Sequence, residues 1–319
     1  MNTNEQRPAT APVLCFGEVL WDVLPDGPHL GGAPLNVAWH IARHGLGAAV
    51  VSAVGDDDLG RRAVREIAAG GVDTSLIRIL PDAPTGTVKV ALDDDGDASY
   101  HFPDDVAWDH IEASGETAAA AGRAGALVYG SLAMRGRPNR AALSALLDQV
   151  PPSCLVVMDV NLRPPFRQRA PILDLARRAS VLKLNLSELE FLLDRRLDDH
   201  AAAGGPGPDD LAELHRLTGC QACCLTLGEN GAMWWRHGHP PASFRHRGHV
   251  GLYPLANTIG AGDSFLASLV STLLRSGGID EAALDRAGRV AAFVTSSPSA
   301  TPDYDPDQLP PPESPRHSA

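Results

Sequence analysis

The run Gly260-Ala261-Gly262-Asp263 joins small residues to a carboxylate, and the apolar residues Phe265, Leu266, Leu269 and Leu273 that follow have helical spacing. That spacing puts the run at a helix N-terminus, where backbone N–H groups and the helix dipole converge on an anion and glycine leaves room for it. Asp263 then faces whatever the amides hold. A carboxylate is a poor phosphate ligand because like charges repel, but it suits a base that accepts a hydroxyl proton as oxygen attacks phosphorus. The tetrapeptide alone fits equally a tight turn with Asp263 as helix cap. The chain has no G-x-x-x-x-G-K-[ST] run, and no G-x-G-x-x-G follows its first strand, so neither a P-loop nor a dinucleotide fold accounts for anion binding.

The elements that must position this run alternate short apolar stretches with amphipathic ones, the pattern of an α/β protein with a mostly parallel central sheet. Strands are predicted over Val13–Gly17, Ala48–Val54, Ala126–Tyr129, Leu155–Val160, Val181–Asn185 and Ala222–Leu227. Leu35, Ala38, Trp39 and Ala42 share one helical face ending near Gly45, and Ala63, Ile67 and Ala68 share another before Gly70-Gly71. Later helices are predicted over 139–149, 170–179, 187–194, 209–218, 262–276 and 281–296. Thr85–Leu92 and Ala98–Phe102 read as a β-hairpin around Asp93–Asp97, set apart from the parallel sheet as either a lid or a plain surface excursion. Asp198–Asp210 reads as a loop, and the tail from Thr301 is rich in proline and polar residues.

With 319 residues, 44% of them apolar, the chain can bury one large core, so one principal domain is expected. Its 27 basic and 39 acidic residues leave a net charge of −12, which opposes counterion-driven binding to nucleic acid or anionic lipid. A small phosphate ligand stays within reach of a local cradle of N–H groups. Five cysteines, three of them crowded at Cys220, Cys223 and Cys224, do not form a disulfide framework; a reducing cytoplasm and core packing are expected, not half a zinc site. The polar first dozen residues and the lack of a long apolar run point to neither export nor a membrane span. His237, His239, His246 and His249 lie in a polar stretch and are not expected to bind metal. Asp93–Asp97 lacks the glycine and glutamate of a calcium loop.

Six ordered blocks make the first run more specific: Gly17–Asp22 (GEVLWD), Gly31–Ala38 (GGAPLNVA), Asp159–Arg163 (DVNLR), Lys183–Glu188 (KLNLSE), Thr226–Ala232 (TLGENGA) and GAGDSF. Together they resemble the motifs of PfkB (ribokinase-like) carbohydrate kinases over about residues 13 to 300, and with Val106–Ile111 (VAWDHI) and Tyr129–Arg135 (YGSLAMR) they look most like bacterial fructokinases. The resemblance implies a three-layer α/β/α sandwich with a mostly parallel central sheet and a small β-sheet lid. It also implies an ATP:sugar phosphotransferase, with D-fructose to fructose 6-phosphate ahead of ribose, another hexose or 2-keto-3-deoxygluconate. The domain reading that follows is a disordered 1–12, a kinase domain over 13–300 with its lid from about 18–33 and 84–106, and a disordered 301–319. The expected partners are a small-molecule sugar and ATP, without nucleic acid or membrane; a homodimer is allowed.

Carried over residue by residue, the resemblance makes Asp263 the catalytic base and Gly260, Ala261 and Gly262 the anion hole. Asn185 and Glu188 would orient the water shell of Mg²⁺ and the ATP phosphates, although the same pair reads locally as a helix start. Arg163 would reach toward phosphate or substrate, or else is a solvated arginine beside Pro164-Pro165. Thr226, Gly228 and Gly231 would hold the nucleotide. Asp22, Gly32 and Asn36 would contact the sugar, with Tyr100 and Phe102 closing over it; Asp22 also fits a turn and the aromatics fit plain packing. A non-catalytic sugar or nucleotide binder would not need both Asp263 and Glu188, and a Rossmann dehydrogenase would need the missing early glycines. One departure stands out: relatives write Asp-Thr before GAGD, where that Asp helps hold a monovalent cation, and this chain has Asn257-Thr258. The amide keeps a carbonyl oxygen but loses the charge, which weighs against activation by K⁺ at Asn257.

Overall fold

A computed structural model describes residues 11–24, 27–92, 98–197, 206–239, 243–246, 249 and 252–309. By its internal contacts the chain divides into two compact units, Met1–Leu155 and Val156–Ala319, where one was expected.

In the first unit, strands β1 (Val13–Phe16), β4 (Ala48–Gly55), β5 (Ile77–Leu80) and β8 (Ala126–Gly130) run parallel in the order β8-β1-β4-β5. β1, β4 and β8 are buried along their whole length, as expected of parallel strands covered on both faces, which is why they read as unbroken apolar runs. A separate small sheet, in the order β3-β2-β6-β7, combines β2 (Leu20–Leu24), β3 (Gly27–Gly31), β6 (Gly86–Leu92) and β7 (Ala98–His101). It contains the expected hairpin; the turn Asp93–Asp97 lies outside the described residues. The helices of this unit are α1 (Ala33–Arg43), α2 (Asp58–Ala69), α3 (Gly115–Ala121) and α4 (Arg137–Leu147).

Two polar clusters pin the loops of this unit. The Asp57 carboxylate caps α2 by accepting from the Gly60 N–H at 2.7 Å, and it also accepts from the Thr85 N–H at 2.8 Å and hydroxyl at 2.7 Å. The Thr85 hydroxyl in turn accepts from the Gly55 N–H at 2.9 Å, so the root of β6 is stitched to the end of β4. Farther along, Arg135 grips Asp109 through Nε and Nη2 at 2.7 and 2.6 Å and lies over the Trp108 ring. Fully buried Asn139 accepts from the Ile111 N–H and donates to the carbonyls of Trp108 and Ala133. The stretches around 106–111 and 129–135 are thus locked together by a bidentate ion pair and an amide whose polar atoms all find partners.

In the second unit, β9 (Leu155–Asp159), β10 (Val181–Asn185) and β11 (Ala222–Thr226) are parallel neighbours, extended antiparallel by β12 (Ala232–Arg236) and β13 (Ser243–His246). Helices α5 (Arg169–Ala176), α6 (Leu186–Leu193), α7 (Pro208–Thr218), α8 (Ala261–Ser276) and α9 (Glu281–Val294) complete it. α7 begins inside the segment read as a loop, because Pro208 starts its first turn and the Asp210 carboxylate accepts from the Gly207 N–H at 2.8 Å. Cys220, Cys223 and Cys224 are free and buried; burial pushes the Cys224 thiol up to about 12, so these are inert core residues. Residues 301–309 fall in the tail expected to be disordered, yet Tyr304 sets its ring 5.5 Å from that of Phe293. Among the described residues no helix is long and apolar enough to cross a membrane.

Candidate active site

α8 opens at Gly260, whose left-handed backbone (φ 80°) a side chain would strain, and a Cβ there would come within 2.8–3.0 Å of Ala300 atoms. No side chain caps the helix, and the Ala261 N–H makes only a long bond to the Thr258 carbonyl at 3.4 Å, so the first turn of α8 presents backbone N–H groups in the arrangement an anion hole needs. Asp263 is buried, in the first turn of the same helix.

Behind this turn lies a cation that motif reading passed over. Lys183 on β10 stands in register with Asp159 on β9, and its Nζ donates to both carboxylate oxygens at 3.0 Å. Both side chains are nearly shielded from solvent, at 10% and 5% exposure. A Cβ on Gly262 would lie 2.9 Å from this Nζ, so glycine there lets the ammonium approach the helix start. Burial alone pulls the Lys183 pKa down, but the charges of Asp159, Glu188 and Asp263 outweigh it and hold it above the ordinary lysine value. A charged residue inside the buried run VLKLN, aligned with another at the end of LVVMD, was the available signal.

Glu188 and Asn185 form the helix start that was one of their two readings. The Asn185 side chain accepts from the Glu188 N–H at 2.9 Å, and Glu188 Oε2 accepts from the Asn185 N–H at 2.8 Å. The other oxygen, Oε1, accepts from the Leu162 N–H at 2.9 Å, which draws the DVNLR turn onto the same carboxylate. Burial raises the Glu188 pKa and the Asp159 charge raises it further, against the lowering by Lys183 and the two N–H groups. Each Glu188 oxygen keeps lone-pair capacity beyond its one N–H bond, whereas Asn185 Oδ1 already accepts from the Ser187 hydroxyl at 2.8 Å as well as the Glu188 N–H, so it is the carboxylate that fits a hard cation held through water. In the same turn Asn161 takes a positive φ of 38°, which asparagine tolerates better than most residues. Arg163 is half-buried and reaches the Leu162 carbonyl at 3.4 Å.

Beside the turn lies a cavity of about 510 Å³, within the range of small-ligand sites. Its lining brings together six residues singled out from sequence: Asn185, Thr226, Gly228, Gly231, Ala261 and Gly262. Gly260, Asp263, Glu188 and Arg163 are not in that lining. α9 and its C-cap supply one side of the wall through Leu284, Gly288, Ala291, Ala292 and Thr295, one helical face at i, i+4, i+7, i+8 and i+11. In the sequence, Gly288, Ala291 and Ala292 are an ordinary run of small helix residues that nothing nearby marks as a cavity wall. The surface is mostly apolar, with a few polar groups.

The proposed sugar contacts lie in the first unit. Asp22 sits on β2 opposite His29 of β3, and a Cβ on Gly31 would meet its carboxylate at 2.5 Å. Gly32, at φ 116°, precedes α1; a Cβ there would lie 2.3 Å from the Glu18 carbonyl oxygen, so no other residue fits that backbone. Asn36, one turn into α1, is buried. Tyr100 is on β7, paired in register with Val90, and Phe102 follows that strand half-buried.

Residues 26–307 match the sequence profile of the pfkB family carbohydrate kinases. The chain is 30% identical over 287 residues to fructokinase-1 of Oryza sativa subsp. japonica, covering 82% of this chain and 83% of that protein. Among solved structures, fructokinase from Xylella fastidiosa with bound ATP superposes with a TM-score of 0.76 at 21% identity, over 92% of this chain and 94% of that one. A double mutant of fructokinase from Vibrio cholerae O395, with fructose, ADP and potassium ion bound, superposes at 0.73 and 23% identity, over 92% and 94%. These likenesses establish the expected ribokinase-like α/β fold, with its large, mostly parallel sheet and small separate sheet.

Proposed function

Because the chain belongs to the pfkB family of carbohydrate kinases, we infer that it transfers the γ-phosphoryl group of ATP to a primary hydroxyl of a monosaccharide, D-fructose at O6 before other sugars. The observation that carries this reading is the cavity lined by Asn185, Thr226, Gly228 and Gly231 together with Ala261 and Gly262 of the α8 start. The mostly apolar α9 wall, with Gly288, Ala291 and Ala292, suits a nucleotide base, and the start of α8 at Ala261 and Gly262 suits phosphate oxygens.

In this reading Asp263 accepts the proton of the attacking hydroxyl, a role worth about 10²–10⁴ in rate. The α8 amides stabilise charge on the transferred group, worth about 10²–10³ per donor. Lys183 adds a fixed positive charge behind Gly262. Asn185 and Glu188 would hold a magnesium ion through its water shell; when bound, the ion neutralises phosphate charge. Asp22 and Asn36 would take sugar hydroxyls, Gly32 would let the ring approach, and Tyr100 and Phe102 would cover it. Fructose is favoured by the fructokinase names of the relatives at about this level of identity.

The test is ADP release across a panel of fructose, glucose, ribose and 2-keto-3-deoxygluconate. Turnover with fructose at the highest kcat/KM is the expected result. Preference for another member of the panel would reassign the substrate, and no turnover on any sugar would sink the kinase reading.

A further inference from the structure

The loop that leads into α8 is fastened to the loop that leaves α9, and Asn257 makes the fastening. The backbone N–H groups of Ala256 and Asn257 donate to the Thr295 carbonyl at 2.8 and 3.1 Å. The Asn257 side chain then bridges the loops: Nδ2 donates to the Ser297 carbonyl at 2.8 Å, and Oδ1 accepts from the Ile259 N–H at 2.8 Å. Gly260 closes the contact by packing directly on Ala300. The two partners assign the amide unambiguously, since a carbonyl needs the NH₂ group and an N–H needs the oxygen.

Relatives of this chain, by the resemblance drawn from its motifs, place an aspartate here to hold a monovalent cation. The residues present do not fit that ion. A cation needs a shell of oxygens, and the group that Asn257 turns toward Ser297 is a hydrogen-bond donor. An aspartate in the same pose would set a carboxylate oxygen against a carbonyl oxygen, two acceptors that need a positive charge between them. The asparagine NH₂ supplies that partial positive charge covalently.

We propose that the Asn257 amide replaces the monovalent cation, tying the GAGD turn to the Ser297 carbonyl by a hydrogen bond and making this protein independent of potassium. Its activity arm rests on the kinase reading; its stability arm does not. The experiment compares thermal unfolding and sugar-dependent ADP release in potassium chloride and in tetramethylammonium chloride, each at about 0.1 M so that screening is equal. Wild type is expected to unfold at the same temperature in both salts and to turn over within about twofold, for want of a differential ion contact. Asn257→Asp is expected to unfold earlier and to lose at least about tenfold in rate in tetramethylammonium, with potassium restoring both. Asn257→Ala removes the bridge without adding charge, so its loss should be the same in either salt.

A wild type that potassium stabilises, or activates more than about fivefold, would overturn the proposal. So would an Asn257→Asp protein indifferent to potassium, or an Asn257→Ala protein rescued by it. Absence of turnover in every salt with the expected salt pattern of melting temperatures would fail the kinase reading and leave this proposal standing.

Discussion

Replacing Lys183 with methionine removes the ammonium bonded to Asp159 and leaves that carboxylate, 5% exposed, beside the charge of Glu188. Breaking a buried pair from one side costs about 3–5 kcal/mol, because the survivor keeps its desolvation penalty and loses its partner. Glu188, whose carboxyl burial already raises, can escape part of that cost by taking up a proton, so the loss should be smaller near pH 5.5 than near pH 8. The double variant Lys183→Met/Asp159→Asn carries no orphaned charge in the pair and should recover at least about 1 kcal/mol of the single variant's loss. Urea unfolding of wild type, both single variants and the double variant at the two pH values measures every corner of the cycle. A loss below about 1 kcal/mol for Lys183→Met, together with no coupling to Asp159, would show that the pair is solvated and refute the reasoning.

Asp263→Asn should cut kcat by at least about 10² while nucleotide affinity measured by calorimetry is kept; near-normal turnover would remove Asp263 from the base role. Ala292→Phe puts a ring into the cavity and should raise KM for ATP about tenfold, the effect of overpacking by about 1–2 kcal/mol, with KM for sugar unchanged; an equal rise in both would separate this cavity from the nucleotide. Asp57→Ala should cost about 1–2 kcal/mol through the lost α2 cap. Burial alone would raise the Asp57 pKa, but the Thr85 and Gly60 hydrogen bonds and Arg61 outweigh it and hold it below the usual carboxylate range. Its stabilisation is therefore complete above about pH 4, the unfolded value, and is lost as pH falls through the lower native value. The gap between wild type and Asp57→Ala should close in acid, and a gap that stays constant there would contradict the assignment.

What was legible in the sequence was local. Gly260-Ala261-Gly262 before an apolar stripe, and Asn185 three residues before Glu188, announce their helix starts through neighbours in the chain. The meaning of Lys183 was not local, because a lysine in VLKLN reads as the outward side of an alternating strand until the parallel register sets it against Asp159, 24 residues earlier. Asn257 was visible as a departure, but its partner Ser297 is 40 residues downstream, so the sequence could show a missing charge and not what had replaced it. Short strands were also hidden: β3, GPHLG, has little strand propensity of its own and exists through its antiparallel pairing with β2. β13 likewise depends on β12, and its residues read as a polar loop.

In the proposed kinase reading, the charges around the α8 start constrain how a nucleotide would be held there. One ammonium, Lys183, faces three carboxylates, Asp159, Glu188 and Asp263, in a protein that is already negative overall. A free nucleoside triphosphate would bring more negative charge into a group that is not neutral to begin with. Lys183 cannot offset that charge alone, because Asp159 already engages its Nζ through both oxygens. The start of α8, which no side chain caps, adds positive potential through a helix dipole equivalent to about half an elementary charge. This arithmetic favours a nucleotide that arrives already complexed to a divalent cation. It also gives Glu188 a reason to be an acid rather than an amide: a carboxylate can satisfy the Leu162 and Asn185 N–H groups and still present negative charge to that cation's waters.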